Sequence, residues 1–188
     1  PHTSSRRQRQ MCIRDSNSLN AQMAKELLEI SYECDTNKKI RAIILTGEGD
    51  KAFCAGGDLK SFHETGNVAK HLKMVTHDLH GAITKFSRMN SPLIVAVNGV
   101  AAGAGLSFVG FADLAIATSS ATFVSAYTKA GLTPDGSSSY YLPRIIGTRK
   151  YLLLVISNKV LSSEVAIALG LLNKVYDDKK FWSETLKL

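Results

Sequence analysis

Two stretches of small residues decide the fold: AFCAGGDL at residues 52–59 and VNGVAAGAGL at residues 97–106. Each stretch follows an apolar run that suits a buried strand and leads into residues that suit a helix. Glycine lets the backbone approach a ligand closely, and the first amides of a helix have no partner inside that helix. We therefore expect each stretch to aim one backbone N–H into a shared pocket. Two such donors form an oxyanion hole, which stabilises negative charge that develops on a carbonyl oxygen.

The length and composition are those of a single globular domain. The 188 residues are 45% hydrophobic and 21% charged, which is enough apolar material for a substantial core. The cysteines Cys12, Cys34 and Cys54 match neither a zinc-binding spacing nor a disulfide framework, so we expect reduced thiols in a cytoplasmic protein. No apolar run of the sequence approaches the ~18 residues of a membrane-spanning helix, and no membrane partner is predicted.

The positive charge is concentrated in residues 1–16, PHTSSRRQRQMCIRDS. This segment holds four arginines and one aspartate, so the net charge of +7 falls to +4 without it. It shows no apolar periodicity, and its end resembles translated sequencing-adapter sequence. We therefore predict a non-native or adapter-derived leader at 1–16 and a folded domain at 17–188. A basic arm that binds nucleic acid and a transit peptide are the alternatives, but no nucleic-acid partner is predicted.

Helical and strand patterns alternate along the rest of the chain. Helices are predicted at residues 20–34 with Asn20 as N-cap, 66–90, 103–111, 136–156 with interruptions at Pro143 and Gly147, and 162–170. Strands are predicted at residues 41–46, 93–97, 113–117, 122–124 and 174–176. This alternation predicts an α/β protein with right-handed crossovers.

The two small-residue stretches, in this order, resemble those of the enoyl-CoA hydratase/isomerase (crotonase) superfamily, and the resemblance runs from about Asn17 to Phe181. It implies a crotonase (ClpP-like) fold, which is a spiral of ββα units. It also implies an acyl-CoA thioester substrate, with coenzyme A as part of the substrate rather than a permanent cofactor, and a homotrimer or hexamer. Family members usually have a β-hairpin before this region and further helices after it. We therefore expect a fragment lacking the first hairpin and the C-terminal helices.

Matched residue by residue, the resemblance implies that Gly57 and Ala104 supply the two N–H donors. In the family the first stretch also holds the adenine and pantetheine of coenzyme A, largely through backbone contacts. The candidate coenzyme A-binding residues are therefore Ala55, Gly57, Asp58, Leu59, Lys60 and Ala104. Asp58 is expected to brace the loop. Lys60 is expected to meet a phosphate, with a solvated helix surface as its alternative.

The two glutamates of the family's hydratases have no counterpart here, because Ser107 and Tyr127 stand at their positions. A hydroxyl and a phenol activate water poorly, so ordinary hydration is not expected. Asp135, within GLTPDG at residues 131–136, resembles the aspartate of a branch that includes phenylacetate-pathway isomerases and 4-chlorobenzoyl-CoA dehalogenases. In that branch it acts as proton shuttle or nucleophile.

The segment LTPDGSSSYYLPR at residues 132–144 looks most like the isomerases. A dehalogenase would usually carry an aromatic residue where Gly57 stands. The resemblance therefore implies an acyl-CoA isomerase that shifts a double bond or rearranges the acyl group through an enolate, with Asp135, Gly57 and Ala104 as catalytic residues. The alternatives are an enoyl-CoA hydratase, a catalytically silent acyl-CoA-binding protein and, for Asp135, a plain helix N-cap.

His77 and His80 stand three residues apart, a spacing that can chelate a metal on a helix. No third ligand with suitable spacing accompanies them in the sequence. We therefore interpret both as parts of a solvated helix surface and predict no metal site.

Overall fold

The computed structural model describes residues 16–188, so the predicted leader lies outside the described residues apart from Ser16. This part of the chain is an α/β protein with eight helices and eight strands. The helices are α1 (Ala21–Thr36), α2 (Leu59–His63), α3 (Val68–Phe86), α4 (Ala104–Phe111), α5 (Ser138–Ile146), α6 (Thr148–Ser157), α7 (Ser163–Ala168) and α8 (Phe181–Thr185). The strands are β1 (Ile43–Thr46), β2 (Ala52–Cys54), β3 (Leu93–Val97), β4 (Val100–Ala102), β5 (Leu114–Thr118), β6 (Thr122–Val124), β7 (Leu161–Ser162) and β8 (Lys174–Tyr176).

Within residues 16–188 the strands form two four-stranded sheets. The first has the order β1-β3-β5-β8 and is parallel throughout, with Ile44 opposite Ile94. The second has the order β2-β4-β6-β7, and its last pair is antiparallel. From β1 to β6 successive strands enter the two sheets in turn, after which β7 stays in the second sheet and β8 returns to the first. Helices connect one pair of strands to the next. The expected spiral of ββα units is confirmed.

The second sheet differs from the sequence prediction in its detail. The stretches at residues 52–59 and 97–106 were interpreted as turns, but each contains a three-residue strand, β2 or β4. Strands of this length are too short to show a periodic pattern, and β6 and β8 were predicted from their β-branched and aromatic residues instead. The two-residue strand β7 and the short helix α8 escaped prediction for the same reason.

The predicted interruption at Pro143 is wrong. Helix α5 continues through Pro143 to Ile146 and ends at Gly147, where φ is +85°. Proline removes one backbone N–H from the helix and so frees the carbonyl four residues earlier. That carbonyl belongs to Ser139, which is exposed, so water can bind it. The predicted break at Gly147 is confirmed.

The hydrophobic core joins the sheets to the helices that carry the loops. All five residues of β3 are buried, and α3 buries Val75, Leu79, Ile83 and Phe86 along one stripe. Phe53 of β2 packs edge-on against Phe108 of α4, with ring centroids 6.3 Å apart. This contact fixes α4 against the second sheet.

Among the helices of residues 16–188, none has the length and apolar content needed to cross a membrane.

Two buried asparagines fix the connection between β1 and β2. The side-chain amide of Asn98 donates to the carbonyls of Gly47 and Gly49 at 2.9 and 2.7 Å, and its oxygen accepts the Gly47 N–H. Asn17, in the left-handed region with φ of +49°, donates to the carbonyl of Ala52 at 2.7 Å. Because buried backbone groups need partners, these side chains hold the chain in place just before the first donor loop.

Candidate active site

The loop that follows β2 is held on one side by the N-terminal segment. The Leu19 N–H donates to the Gly56 carbonyl at 2.7 Å, and the Asp58 N–H donates to the Leu19 carbonyl at 2.8 Å. This is a parallel bridge between Leu19 and Gly57, in which the N–H of Gly57 itself points to the opposite side. Within residues 16–188 that N–H has no protein acceptor. It is therefore available to a ligand.

The second donor loop joins β4 to α4 through Gly103, whose φ is +51°. Its N–H donates to the Val124 carbonyl at 3.1 Å, which ties the loop to the neighbouring strand β6. Ala104 is the first residue of α4, so its N–H has no acceptor inside the helix and lies at the positive end of the helix dipole. The arrangement suits a ligand atom that carries negative charge.

The two donor loops contact each other through glycine backbone. A Cβ placed on Gly103 would lie 3.6 Å from the Gly56 Cα, and a Cβ placed on Gly56 would lie 3.2 Å from the Ala102 carbonyl oxygen. Both glycines have positive φ, at +51° and +98°, which other residues rarely adopt. Gly57 and Ala104 directly follow these two glycines. The structure thus brings the two predicted donor loops together.

Four further candidate coenzyme A-binding residues lie in the first loop or at the start of α2: Ala55, Asp58, Leu59 and Lys60. The Ala55 N–H already donates to the Ser16 carbonyl at 3.0 Å. Asp58 is the N-cap of α2 and accepts a backbone N–H of that helix. Leu59 is 50% exposed, and the ammonium of Lys60 extends into solvent with only a distant glutamate, at 4.0 Å, one turn along the helix.

Ser107 and Tyr127 lie where the family's hydratases have glutamates, and here they are hydrogen-bonded to each other at 2.9 Å. Both hydroxyls also reach the main-chain carbonyl of Asp135, at 2.8 Å from Ser107 and 3.2 Å from Tyr127. Ser107 is almost fully buried, and burial raises the pKa of Tyr127 well above its usual value. The pair is therefore neutral and has no group that can act as a base near neutral pH.

Asp135 lies in the turn between a 3₁₀ turn (Thr128–Ala130) and α5. The alternative of a plain N-cap is wrong, because the cap residue of α5 is Ser137. The carboxylate instead accepts a hydrogen bond at 2.7 Å from Nε2 of His80. It is about one third exposed, so a ligand can reach it.

His80 is a candidate site residue that sequence interpretation missed. It lies on α3, and its side chain is half exposed, as a residue of a solvated helix surface would be. The partner, Asp135, is distant in the sequence, and no local pattern connects the two. The available signal was the position of His80 at the border of the apolar stripe of α3, next to the buried Leu79.

Proteins of known family resemble this chain over most of its length. The family model described as Enoyl-CoA hydratase/isomerase matches residues 10–188. A 4-chlorobenzoyl coenzyme A dehalogenase-2 from an Arthrobacter species is 35% identical over 169 residues, which are 89% of this chain and 61% of that protein. The 1,2-epoxyphenylacetyl-CoA isomerase of Escherichia coli K12 is 36% identical over 165 residues, 87% of this chain and 63% of that protein.

Among solved structures, the enoyl-CoA hydratase of Bacillus anthracis superposes with a TM-score of 0.87 at 28% identity, over 93% of this chain and 67% of that one. The chain thus spans 61 to 63% of the length of the two curated relatives named above. The names of these relatives cover three different reactions of coenzyme A thioesters.

Proposed function

Because the chain belongs to the enoyl-CoA hydratase/isomerase family, we propose that the protein containing it is an acyl-CoA isomerase acting through an enolate. The observation that carries this proposal is the position of Asp135. Its main chain is hydrogen-bonded to Ser107, one turn along α4 from the donor Ala104. Asp135 therefore lies beside the start of α4, and we infer that its carboxylate serves the same site. The similarity to 1,2-epoxyphenylacetyl-CoA isomerase gives further support.

In the proposed reaction the thioester oxygen lies between the amides of Gly57 and Ala104. These hydrogen bonds strengthen as a proton leaves Cα or Cγ and negative charge builds on the oxygen. Asp135 accepts that proton and returns it to another carbon of the same acyl group, so a double bond moves and no atom is gained or lost. Removing one oxyanion donor typically costs about 2.7–4 kcal/mol of transition-state stabilisation.

Hydration is the less favoured alternative, because it needs a base that activates water. Tyr127 and Ser107 occupy the positions of the two hydratase glutamates, and the raised pKa of Tyr127 keeps its phenol protonated. A catalytically silent acyl-CoA-binding protein is the alternative from another class. Both are outcomes of the experiment below.

The proposal is tested by incubating the full-length protein in deuterated water with 3-enoyl- and 2-enoyl-CoA thioesters. We expect double-bond migration without a water adduct, and deuterium at Cα or Cγ, both followed by mass spectrometry. Asp135→Asn is expected to abolish turnover and to leave acyl-CoA binding nearly intact. Asp50→Asn, at an exposed aspartate, is the matched control and keeps wild-type turnover.

Other results assign other functions. A hydrated product means that an unrecognised acid–base pair exists and that the protein is a hydratase. Tight binding with neither product nor deuterium uptake means a silent acyl-CoA-binding protein. Unchanged turnover in Asp135→Asn removes the proposed role of that aspartate.

A hydrolytic dehalogenase is the second candidate, and the contact between His80 and Asp135 favours it. The Asp135 carboxylate would attack the ring carbon that bears chlorine, chloride would leave, and water would hydrolyse the resulting aryl ester, with His80 accepting the water's proton. Chloride release from 4-chlorobenzoyl-CoA tests this candidate. In His80→Gln the aryl ester on Asp135 would accumulate and add its mass to that peptide; a lack of chloride release excludes the candidate.

An acyl-CoA substrate fits the family, and coenzyme A would enter as part of it. Contact with Lys60 and with the backbone of the first loop remains a proposal. The homotrimer or hexamer and the cytoplasmic location remain predictions as well. The oligomeric state is measured by light scattering on the full-length protein.

A further inference from the structure

We propose that Ser107 and Tyr127 are positioning residues that hold Asp135 through its main-chain carbonyl and so set the place of its carboxylate relative to the two oxyanion amides. This inference rests on the proposed function, because it assigns the chemistry to Asp135. It gives the two residues a role different from the acid–base role of the glutamates that they replace.

The hydroxyl of Ser107 links the two parts of the site directly. Its oxygen lies 3.2 Å from the carbonyl oxygen of Gly103 and 2.8 Å from that of Asp135. Gly103 immediately precedes the donor Ala104. One buried side chain therefore contacts both the donor loop and the acid–base turn, so the separation of these two backbone segments depends on it.

The number of available hydroxyl hydrogens indicates that Ser107 donates to the carbonyl of Asp135 rather than to that of Gly103. Each hydroxyl has a single hydrogen to donate. The Gly103 carbonyl already accepts the backbone N–H of Ser107 at 3.1 Å, and it is farther from the Ser107 hydroxyl than the Asp135 carbonyl is. Tyr127 can donate either to Ser107 at 2.9 Å or to Asp135 at 3.2 Å. In both cases the two hydroxyls together hold the Asp135 carbonyl.

The backbone after Asp135 needs this support. Gly136 and Ser137 both have positive φ, at +60° and +62°. Glycine adopts this conformation freely, but Ser137 is strained in it, and such strain persists only when the surrounding structure holds the residue. A Cβ placed on Gly136 would lie 2.9 Å from the Cβ of Ser107, so the turn packs directly on that serine. Ser107 thus supports the turn by contact as well as by hydrogen bonding.

The side-chain end of Asp135 is held much less firmly. Its carboxylate is about one third exposed, and its partner His80 is half exposed. The carbonyl, which both hydroxyls contact, is therefore the fixed end of the residue, and the carboxylate is placed from it. A shift of about 1 Å in a catalytic group is enough to cost about 100-fold in rate.

The test uses Tyr127→Phe and Ser107→Ala in the full-length protein, each alone and combined with Asp135→Asn. Each single variant is expected to lower kcat by about 10- to 100-fold while KM changes by less than about twofold, because ground-state binding does not use the Asp135 carboxylate. In the Asp135→Asn background neither change is expected to cause a further loss. Because Asp135→Asn is expected to abolish steady-state turnover, the comparison in that background uses the slow substrate deuterium exchange that the oxyanion amides alone still promote, followed by NMR spectroscopy.

Two control variants each remove a hydroxyl that lies outside the site, and so measure the effect of losing a hydroxyl elsewhere in the protein. Tyr32→Phe removes a phenol from a half-exposed ring on α1. Ser31→Ala removes a fully buried hydroxyl that donates to a helix carbonyl at 2.6 Å. Both are expected to keep wild-type kcat and KM. Melting temperatures identify any variant that fails to fold; Tyr127→Phe, which keeps its ring, remains informative if Ser107→Ala unfolds.

Each contrary result has its own meaning. Losses that persist in the Asp135→Asn background overturn the inference, because the hydroxyls would then act on the substrate or on the fold. Wild-type kcat in both single variants, with an inactive Asp135→Asn, overturns the positioning role and leaves the proposed function standing. Wild-type turnover in Asp135→Asn overturns the proposed function itself.

Discussion

Gly105 keeps helix α4 in direct contact with strand β2, and Gly105→Ala tests how much the site depends on this contact. The added Cβ would lie 2.2 Å from the Cys54 carbonyl oxygen and 3.0 Å from the Cys54 Cβ, whereas ordinary contact begins at 3.4 Å. Helix and strand must therefore separate by roughly 1 Å. Overpacking costs about 3 kcal/mol when both partners are backbone, and alanine returns about 1 kcal/mol of helix propensity. The net loss is about 2 kcal/mol, or roughly 4–8 °C in Tm.

The same displacement moves the amide of Ala104, the residue before Gly105, away from the first donor loop. We expect kcat to fall by about 100-fold. Thermal denaturation followed by circular dichroism and steady-state turnover measure the two effects. Gly66→Ala is the matched control, because a Cβ there meets nothing within 4 Å. A Gly105→Ala variant with the Tm and turnover of this control would refute the argument.

Three further perturbations test other parts of the structure. Asn98→Ala leaves the buried N–H and carbonyl of Gly47 without their hydrogen-bond partners. Urea denaturation is therefore expected to show a fall of about 1–3 kcal/mol in the free energy of unfolding; an unchanged midpoint would contradict this. Burial raises the pKa of the Cys54 thiol from 9.0 to about 11. Because the unfolded thiol ionises first, stability is expected to decline by roughly 2–3 kcal/mol as pH rises from 9 to 11; a Cys54→Ala variant with the same decline would contradict this. Lys60→Ala is expected to raise KM for a CoA thioester about two- to fivefold at unchanged kcat, and the effect should shrink in high salt; a salt-independent KM would argue against a phosphate contact.

Long elements of the fold could be predicted from the sequence because each carries its own signal. Strand β3 was predicted at residues 93–97 from an unbroken apolar run, and all its residues are buried. Helix α1 was predicted from its apolar stripe and its cap, and the Asn20 side chain does accept the Met23 N–H at 2.9 Å. In the second sheet only β6 was predicted, because β2, β4 and β7 carry no such pattern, so periodicity could not predict two sheets. The resemblance of the glycine-rich stretches supplied that part.

The donor loops could be predicted because their geometry is local. A loop that needs positive φ and close backbone contact requires glycine, and Gly56 and Gly103 show both. The acid–base side of the site could be predicted only in part. Asp135 was found from its motif, but its contact with His80 joins α3 to a turn distant in the sequence. Such a contact exists only after the chain has folded.

In this fold the proposed oxyanion donors are backbone groups, whereas the acid–base groups are side chains. This difference explains how one fold carries several reactions. The two proposed oxyanion amides are placed by Gly56, Gly103 and the start of α4, so we expect them to survive changes in the acid–base residues. In this chain the Asp135 carbonyl lies 2.8 Å from the Ser107 hydroxyl, and a carbonyl oxygen needs a donor there. An ionised glutamate at position 107 has no hydrogen to give, so it would repel that oxygen and displace the turn. A glutamate at this position would therefore remove the shorter hydrogen bond to the Asp135 carbonyl and leave only the longer one from Tyr127, at 3.2 Å. Where both hydroxyl-bearing residues are replaced by glutamates, we expect the turn at residues 131–137 to change together with the side chain on α4.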